Sequence, residues 1–354
     1  MRDVAATRAA LLAHCARWPA LQVQDLLKFL HQSAFGCGHL VDSGSGALEA
    51  LRTEAALFPH RADVEPLDGP FARVHLGVVK DGLAVETLWR IFVLSSQETG
   101  GGAQALEEKL TALLSLAREG ALPFSPEEVA GAADRWRRGG FPACHHSGAF
   151  RAAYAPAYRV VSRDFARILP LLSSIDRKMA AGRPIIVAIE GGSAAGKTTL
   201  GGMLQQIYGC SLFHMDDFFL RPAQRTAERL SQPGGNVDYE RFYEEVLLPL
   251  RRGRAVSFRR YDCHNQQLLA PTNVAPAALS VVEGAYSAHP ALRDHYDLTV
   301  FLEIDPGLQR RRIQRRNTPD FQQRFFHLWI PLERRYQEAF DIPGHCDLIL
   351  EVKE

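Results

Sequence analysis

The chain has 354 residues, of which 46% are hydrophobic and 23% are charged, a balance typical of folded globular proteins. This composition excludes a disordered, collagen-like or coiled-coil protein, and the length predicts two domains of about 150 residues each. The 41 basic residues almost balance the 40 acidic ones, which leaves a net charge of +1. That balance argues against binding of nucleic acid through one broad basic face, although a local basic cluster is not excluded.

The N-terminal half is predicted to be mostly helical. Apolar periodicity indicates helices at 21–35, 103–118 and 126–138, and the alternation in 71–79 predicts a strand. A further helix is predicted over 163–181, where Pro170 should kink or divide it. The chain changes character after this helix, so we expect a mostly α-helical domain over 1–172 and a second domain over 173–354.

Strands and helices alternate in the second half of the chain. Apolar runs predict strands at 185–190, 211–215, 279–283, 298–304 and 347–352, and helical patterns predict helices at 197–208, 239–250, 306–316 and 321–340. Alternation of this kind predicts an α/β fold in which a parallel sheet carries helices on both faces.

A glycine-rich loop joins the first of these strands to the first of these helices. It fits the phosphate-binding (Walker A) pattern G-x-x-x-x-G-K-[ST], which predicts a P-loop NTPase-type sheet that binds ATP. Its glycines let backbone N–H groups point at phosphate oxygens, Lys197 reaches the β- and γ-phosphates, and Thr198 offers a hydroxyl to Mg²⁺. The predicted nucleotide-binding residues are Gly191, Gly192, Ser193, Ala194, Ala195, Gly196, Lys197, Thr198 and Thr199.

Acidic residues follow two of the predicted strands, at the edge of the sheet where ligands of open α/β sheets bind. Transfer to an alcohol needs a carboxylate that orients the hydroxyl and takes its proton, and Asp216 suits that role. It also needs an acid near Mg²⁺, and Glu283 suits that one. The alternative is that either residue is a helix cap or a solvated loop acid.

The phosphate loop, the segment HMDDFF at 214–219 and the segment VEG at 282–284 together resemble the uridine kinase and phosphoribulokinase group of P-loop kinases. The resemblance covers about 184–351. It implies that Asp216 is the base toward the acceptor hydroxyl and that Glu283 supports Mg²⁺. It also implies that Asp238 binds sugar hydroxyls and that Tyr261 packs on a nucleobase. His264 is a further substrate candidate, but it stands about two positions before the histidine of the family pattern, which leaves the base open.

Two of these implied roles have structural alternatives. Asp238 precedes a periodic helix, where an aspartate is a normal N-cap. Tyr261 could equally be a core aromatic at the end of a strand.

The segment QRRRIQRRN at 309–317 concentrates arginines on one predicted helix. Guanidinium groups stabilise the charge that develops during phosphoryl transfer, and the family places a mobile arginine-bearing lid at this point. We expect Arg312 and Arg316, which share a helix face, to clamp the transferring group, with Arg311 and Arg315 as alternates. The alternative is a solvated face of an arginine-rich helix.

Two patches in the N-terminal half combine cysteine and histidine: Cys37 with His39, and Cys144 with His145 and His146. Such residues can bind zinc, but their spacing matches no zinc finger or ribbon. Loop histidines with local hydrogen bonds are the alternative, and the sequence does not decide between them.

Together these features predict an ATP- and Mg²⁺-dependent small-molecule kinase. It would transfer the γ-phosphate to a primary hydroxyl, the 5′-hydroxyl of a ribonucleoside such as uridine or cytidine being the favoured acceptor. The alternatives are a non-nucleoside acceptor, such as pantothenate or a sugar phosphate, and a nucleotide-dependent regulatory switch.

The favoured partner is therefore a small-molecule acceptor, with no nucleic acid and no membrane. No apolar run approaches the roughly 18 residues of a membrane span, and the six widely spaced cysteines are typical of a reduced, cytoplasmic protein. A homo-oligomer is compatible with the sequence.

Overall fold

The computed structural model describes residues 4–38, 46–57 and 62–353. The chain divides into two compact units, Met1–Asp176 and Arg177–Glu354. None of the helices in these described ranges is both long and apolar enough to cross a membrane.

The described part of the N-terminal unit is mostly helical and contains a small antiparallel sheet. Its helices are α1 (Val4–Arg17), α2 (Val23–Phe35), α3 (Ala47–Leu57), α4 (Val85–Ser95), α5 (Gly102–Arg118), α6 (Pro126–Arg138), α7 (Gly148–Tyr154) and α8 (Arg163–Arg167), followed by α9 (Leu169–Met179), which extends past residue 176. Its strands are β1 (Val64–Pro66), β2 (Phe71–His75) and β3 (Tyr158–Ser162), paired in the order β1-β2-β3.

One predicted element of this unit differs from what forms, and another is divided as expected. The strand predicted over 71–79 ends at His75, and the chain continues as a 3₁₀ turn, Leu76–Val79, because Gly77 interrupts the alternating pattern. The helix predicted over 163–181 is divided at Ile168, which lies just before Pro170 at the start of α9. The proline therefore divides the helix as expected, since its ring cannot be accommodated in a helix interior.

The C-terminal unit is an α/β fold. Its strands are β4 (Ile185–Gly191), β5 (Ser211–His214), β6 (Val256–Asp262), β7 (Gln267–Val274), β8 (Leu279–Glu283), β9 (Leu298–Ile304) and β10 (Leu348–Val352). Its helices are α10 (Lys197–Tyr208), α11 (Ala227–Ser231), α12 (Tyr239–Phe242), α13 (Leu248–Arg251), α14 (Pro290–Arg293), α15 (Pro306–Arg316), α16 (Pro319–Arg324) and α17 (Ile330–Ala339).

Five of these strands form one parallel sheet in the order β10-β9-β4-β8-β5. The central strand β4 is buried along its whole length, as its run of β-branched residues predicts. Strands β6 and β7 form a separate antiparallel hairpin. Because β4, β8 and β5 are parallel neighbours, their carboxyl ends lie side by side at one edge of the sheet.

Two helices of this unit contain a wide, π-helical turn. The turn Tyr243–Leu247 joins α12 to α13, and the turn Phe325–Trp329 joins α16 to α17. Each therefore makes one continuous helical segment, as predicted over 239–250 and 321–340. Turns of this kind hold one more residue than an α-helical turn, and they are frequent at functional sites.

Candidate functional site

The phosphate loop curls between β4 and α10. Gly191 and Gly196 adopt φ angles of +150° and +100°, which are open to glycine but strained for other residues. A Cβ atom on Gly191 would lie 2.8 Å from the carbonyl oxygen of Leu302. The first turn of α10 follows directly, so its free N–H groups point toward the curl and favour an anion there.

The ammonium group of Lys197 lies inside this curl. Its Nζ atom donates to the carbonyl oxygens of Gly191 at 2.8 Å and Gly192 at 3.0 Å. The loop therefore combines a cation with converging backbone dipoles, which is the arrangement that binds the phosphate chain of a nucleotide.

Glu283 joins the phosphate loop to the neighbouring strand end. It is buried at the end of β8, and its Oε1 atom accepts the Thr198 hydroxyl at 3.0 Å and pairs with Nδ1 of His214 at 2.5 Å. The hydrogen bond to Glu283 raises the pKa of His214. The Thr198 hydroxyl and the Glu283 carboxylate are the hard oxygen ligands that Mg²⁺ prefers, so these residues fit the ion.

Asp216 lies on a 3₁₀ turn, Met215–Phe218, that follows β5. Its side chain is open to solvent, yet enough protein surrounds the carboxylate that lost hydration raises its pKa, an effect partly offset by the charge of Lys197. The charge of Glu283 also acts on this carboxylate. The structure thus brings Lys197, Glu283 and Asp216 together at the carboxyl edge of the sheet.

The other substrate candidates are packed more tightly than a binding role alone requires. Asp238 is buried, caps α12 by accepting the Arg241 amide N–H at 3.2 Å, and accepts Nε2 of Gln224 at 2.8 Å. Tyr261 is only 4% exposed, and its hydroxyl accepts Nη2 of Arg225 at 3.1 Å. The N-cap alternative for Asp238 and the core alternative for Tyr261 are therefore both realised in the structure.

His264 is exposed in the turn between β6 and β7, where its backbone N–H donates to Asp262 at 2.8 Å. No described contact joins its side chain to Lys197 or Asp216. The preceding residue, Cys263, has a thiol whose pKa is raised, chiefly by burial and in part by the charge of Asp216.

The predicted lid is helix α15, capped by the Asp305 carboxylate, which accepts the Leu308 N–H at 2.9 Å. Arg312 reaches the phosphate loop, where Nη1 donates to the carbonyl of Ala194 at 3.2 Å. Arg316 and its alternates, Arg311 and Arg315, are exposed. The structure therefore brings Arg312 to the loop and leaves the other three at the surface of the helix.

Sequence reasoning missed two buried carboxylates next to the loop. Glu333 on α17 accepts the Ser193 amide N–H at 2.8 Å and the Ser193 hydroxyl at 2.5 Å. Gln309 on α15 donates from Nε2 to the carbonyl oxygen of Ser193 at 2.9 Å. Burial raises the pKa of Glu333, and the charge of Lys197 lowers it. These contacts bind the phosphate loop to the segment that follows β9.

The second missed carboxylate is Glu190, the residue before Gly191. It is fully buried and accepts backbone N–H groups of residues 191, 286 and 288 at 2.8–3.2 Å and the Tyr336 hydroxyl at 3.1 Å. Burial raises its pKa to about 7 despite these donors. A charged residue between the apolar run of β4 and the first glycine of the loop was the available signal.

The cysteine and histidine patches of the N-terminal unit form no metal site among the described residues. His146 is buried, with Nδ1 2.8 Å from Asp25 and Nε2 2.7 Å from the Tyr158 hydroxyl. Cys37 is buried, and its thiol faces a carbonyl of α4. Cys144 is half-buried and His145 exposed, whereas His39 lies outside the described residues.

Comparison with known proteins places relatives on the C-terminal unit. Residues 186–324 match the model of the "Phosphoribulokinase / Uridine kinase family". Uridine kinase-like protein 3 of Arabidopsis thaliana is 28% identical over 148 residues, which is 39% of this chain and 31% of that protein. The uridine kinase of Ligilactobacillus salivarius is 27% identical over 142 residues, which is 38% of this chain and 67% of that protein.

A bifunctional α-galactosidase/sucrose kinase of Mediterraneibacter gnavus is 29% identical over 155 residues, covering 38% of this chain and 16% of that protein. The solved structure of a possible uridine kinase from Bacillus stearothermophilus aligns with a TM-score of 0.38 at 20% identity, over 51% of this chain and 99% of that one. The chain spans about a third of the length of the plant relatives it matches. The match to the family model confirms, over residues 186–324, the resemblance of the C-terminal unit to the phosphoribulokinase and uridine kinase family.

Proposed function

We propose that the C-terminal unit is an ATP- and Mg²⁺-dependent kinase that phosphorylates a primary hydroxyl of a small molecule. The observation that supports this most is the meeting of Lys197, the pair Thr198–Glu283 and Asp216 at the ends of three neighbouring strands. Binding of phosphate, support of a metal ion and removal of a proton are the functions that phosphoryl transfer to an alcohol requires.

The residues act as follows. Lys197 and the loop amides bind the terminal phosphates, and Mg²⁺ held by Thr198 and Glu283 would neutralise part of their charge. Asp216 accepts the proton of the acceptor hydroxyl while the hydroxyl oxygen forms a bond to the γ-phosphorus. The bond from that phosphorus to the β–γ bridging oxygen then breaks, and ADP leaves. Arg312, already at the loop, is placed to stabilise the transferring charge.

The favoured acceptor is a ribonucleoside, which the names of the relatives support. A non-nucleoside acceptor is a second candidate, because the Tyr261 ring is buried and the Arg225 guanidinium lies 5.9 Å from its centroid. That ring leaves little surface on which a base could stack. Release of ADP from ATP should be measured with ribonucleosides, pantothenate, sugars and sugar phosphates as acceptors.

The role of Asp216 is tested by Asp216→Asn, with Asp217→Asn as the matched control on the same turn. We expect Asp216→Asn to lower kcat by about 10²–10⁴-fold while the affinity for ATP changes little, since the carboxylate acts on the acceptor proton. Asp217→Asn should retain most of the activity. Normal turnover of the Asp216 variant would show that the base is misassigned. Hydrolysis of nucleotide at the same rate with and without every acceptor would favour the regulatory switch.

A further inference from the structure

Three aromatic side chains form a stripe along the segment between α15 and α17. Phe321, Phe325 and Trp329 stand about one helical turn apart, and their ring centroids are 4.6 Å (325 to 329), 5.7 Å (321 to 329) and 6.5 Å (321 to 325) apart. Phe321 is 44% exposed, and the other two are half-buried. A contiguous, partly exposed aromatic surface on a folded domain is typical of a binding site.

The direction of the helix places this stripe beyond the carboxyl edge of the sheet. The segment connects β9 to its parallel neighbour β10, so α17 must run back from the carboxyl edge to the amino edge. Its hydrogen bonds follow that direction: Glu333 binds Ser193 in the loop, and Tyr336 binds Glu190 inside the strand. Trp329 precedes Glu333 by four residues, which is about 6 Å along a helix. The stripe therefore continues from the phosphate loop toward the side where ligands bind.

The same helix borders the acceptor side of the loop rather than its far side. The His289 ring is stacked 4.0 Å from Tyr239 and 6.1 Å from Tyr336 of α17. Tyr239 follows Asp238, the residue expected to bind the acceptor. Tyr336, seven residues after Trp329, thus places α17 beside the segment that follows Asp238, and the stripe lies at the start of the same helical segment, beyond the carboxyl edge of the sheet.

We infer that the aromatic stripe is the surface on which a planar ring of the acceptor stacks, so that the acceptor is a nucleoside or an alcohol with a similar flat ring. The inference rests on the proposed kinase function and names its substrate class. It assigns base stacking to Phe325 and Trp329 in place of Tyr261, whose ring is buried. Stacking of a base on an aromatic side chain tolerates any base, so this surface selects for the presence of a base more than for its identity.

The test compares four ribonucleosides (uridine, cytidine, adenosine and guanosine) with D-ribose, which has the sugar but no base. Affinities are measured by calorimetry with a non-hydrolysable ATP analogue bound, and kcat/KM is measured with ATP. The variants are Phe325→Ala and Trp329→Ala. Leu328→Ala is the matched control, because Leu328 lies in the same π-helical turn, is 51% exposed and is outside the stripe. Trp329→Phe keeps a ring and serves as the conservative variant.

We expect at least one ribonucleoside to bind the wild type about tenfold or more tightly than ribose. The two alanine variants should lose most of that preference, while Leu328→Ala and Trp329→Phe keep it within about threefold. The inference is overturned if ribose and the ribonucleosides bind equally, or if the alanine variants keep the preference. It is equally overturned if those variants abolish only self-association of the chain.

These outcomes separate the inference from the proposed function. If no acceptor yields ADP but the stripe variants still lose nucleoside binding, the kinase proposal fails and the stacking surface stands. If a nucleoside is phosphorylated equally well by the wild type and both alanine variants, the kinase stands and the stripe has another role. Thermal unfolding of each variant shows whether a loss of binding follows from loss of folding.

Discussion

Substitution of Glu190 tests how a buried charge beneath the phosphate loop affects stability. Burial raises the pKa of this carboxyl from 4.5 to about 7, and the side chain is 0% exposed. The folded state therefore holds the proton more tightly than the unfolded state. The stabilisation is present in full below about pH 4.5 and is lost as the pH rises through 7. A difference of about 2.5 pKa units corresponds to about 3 kcal/mol, most of it lost between pH 5 and pH 7.

The comparison is between wild type and Glu190→Gln, whose amide does not titrate. The variant has a fixed penalty, because its NH₂ group faces N–H donors at one of the two oxygen positions. That penalty does not depend on pH. The unfolding free energy of the wild type minus that of the variant should therefore fall by about 2–3 kcal/mol from pH 5 to pH 8. Glu303→Gln, at the exposed end of β9, is the control and should show no such fall.

The free energies are read from hydrogen–deuterium exchange of a peptide that covers β4, at several urea concentrations and at pH 5, 6, 7 and 8. This measurement reports on the sheet of the C-terminal unit independently of the N-terminal unit. If the wild-type and Glu190→Gln curves stay parallel within about 0.5 kcal/mol, the reasoning from burial is refuted.

Three further substitutions have defined outcomes. Glu333→Gln leaves the Ser193 amide or hydroxyl without its acceptor. We therefore expect the KM for ATP to rise several-fold with a smaller change in kcat. Unchanged kinetics would contradict the role of this carboxylate in holding the loop. Gly284→Ala puts a Cβ 2.6 Å from that of Met215 at φ +147°, so it should displace the neighbouring turn and cost about 1–3 kcal/mol by urea unfolding. Burial raises the pKa of Asp25, but hydrogen bonds to its carboxylate outweigh that effect and lower the pKa to about 2. Asp25 therefore stabilises the N-terminal unit above about pH 4, and it does so progressively less as the pH falls to 2. Asp25→Asn should remove the share of the acid sensitivity that Asp25 causes, which is read from exchange measured on α2. An acid profile identical to that of the wild type would show that other groups cause the sensitivity.

The site residues whose positions could be predicted from the sequence carry local signals. The phosphate loop is one contiguous motif, and Asp216 and Glu283 each follow an apolar run directly. Parallel pairing then brings such strand ends together without further information. The α/β architecture of the second half followed from the same alternation, and the structure confirms it.

The parts that were not predictable depend on contacts between distant segments. Ser193 and Glu333 are 140 residues apart, and nothing near Glu333 in the sequence marks it as a partner of the loop. The strands β1 and β3 were missed because each is short and lacks an alternating apolar pattern, and both form by pairing with β2. Tyr261 shows a second limit of sequence motifs. The motif identifies this tyrosine, but it does not reveal that Arg225 donates to its hydroxyl and lies beside its ring. The chemical roles of the predicted site residues, those of Lys197, Asp216 and Glu283 as well as those of Asp238, His264 and Arg316, stay predictions.

The π-helical turn at Phe325–Trp329 determines which one-residue deletions the helical segment from α16 to α17 can tolerate. A wide turn accommodates one surplus residue within a single revolution, so the helix on either side keeps its angular phase. Removal of one residue from 325–329 would convert the turn to ordinary α-helix and leave Glu333 directed at Ser193. Removal of one residue from 330–332 would instead rotate Phe325 and everything before it by about 100° relative to Glu333. The π-helical turn can therefore absorb a change of one residue in length without rotating the helix on either side of it.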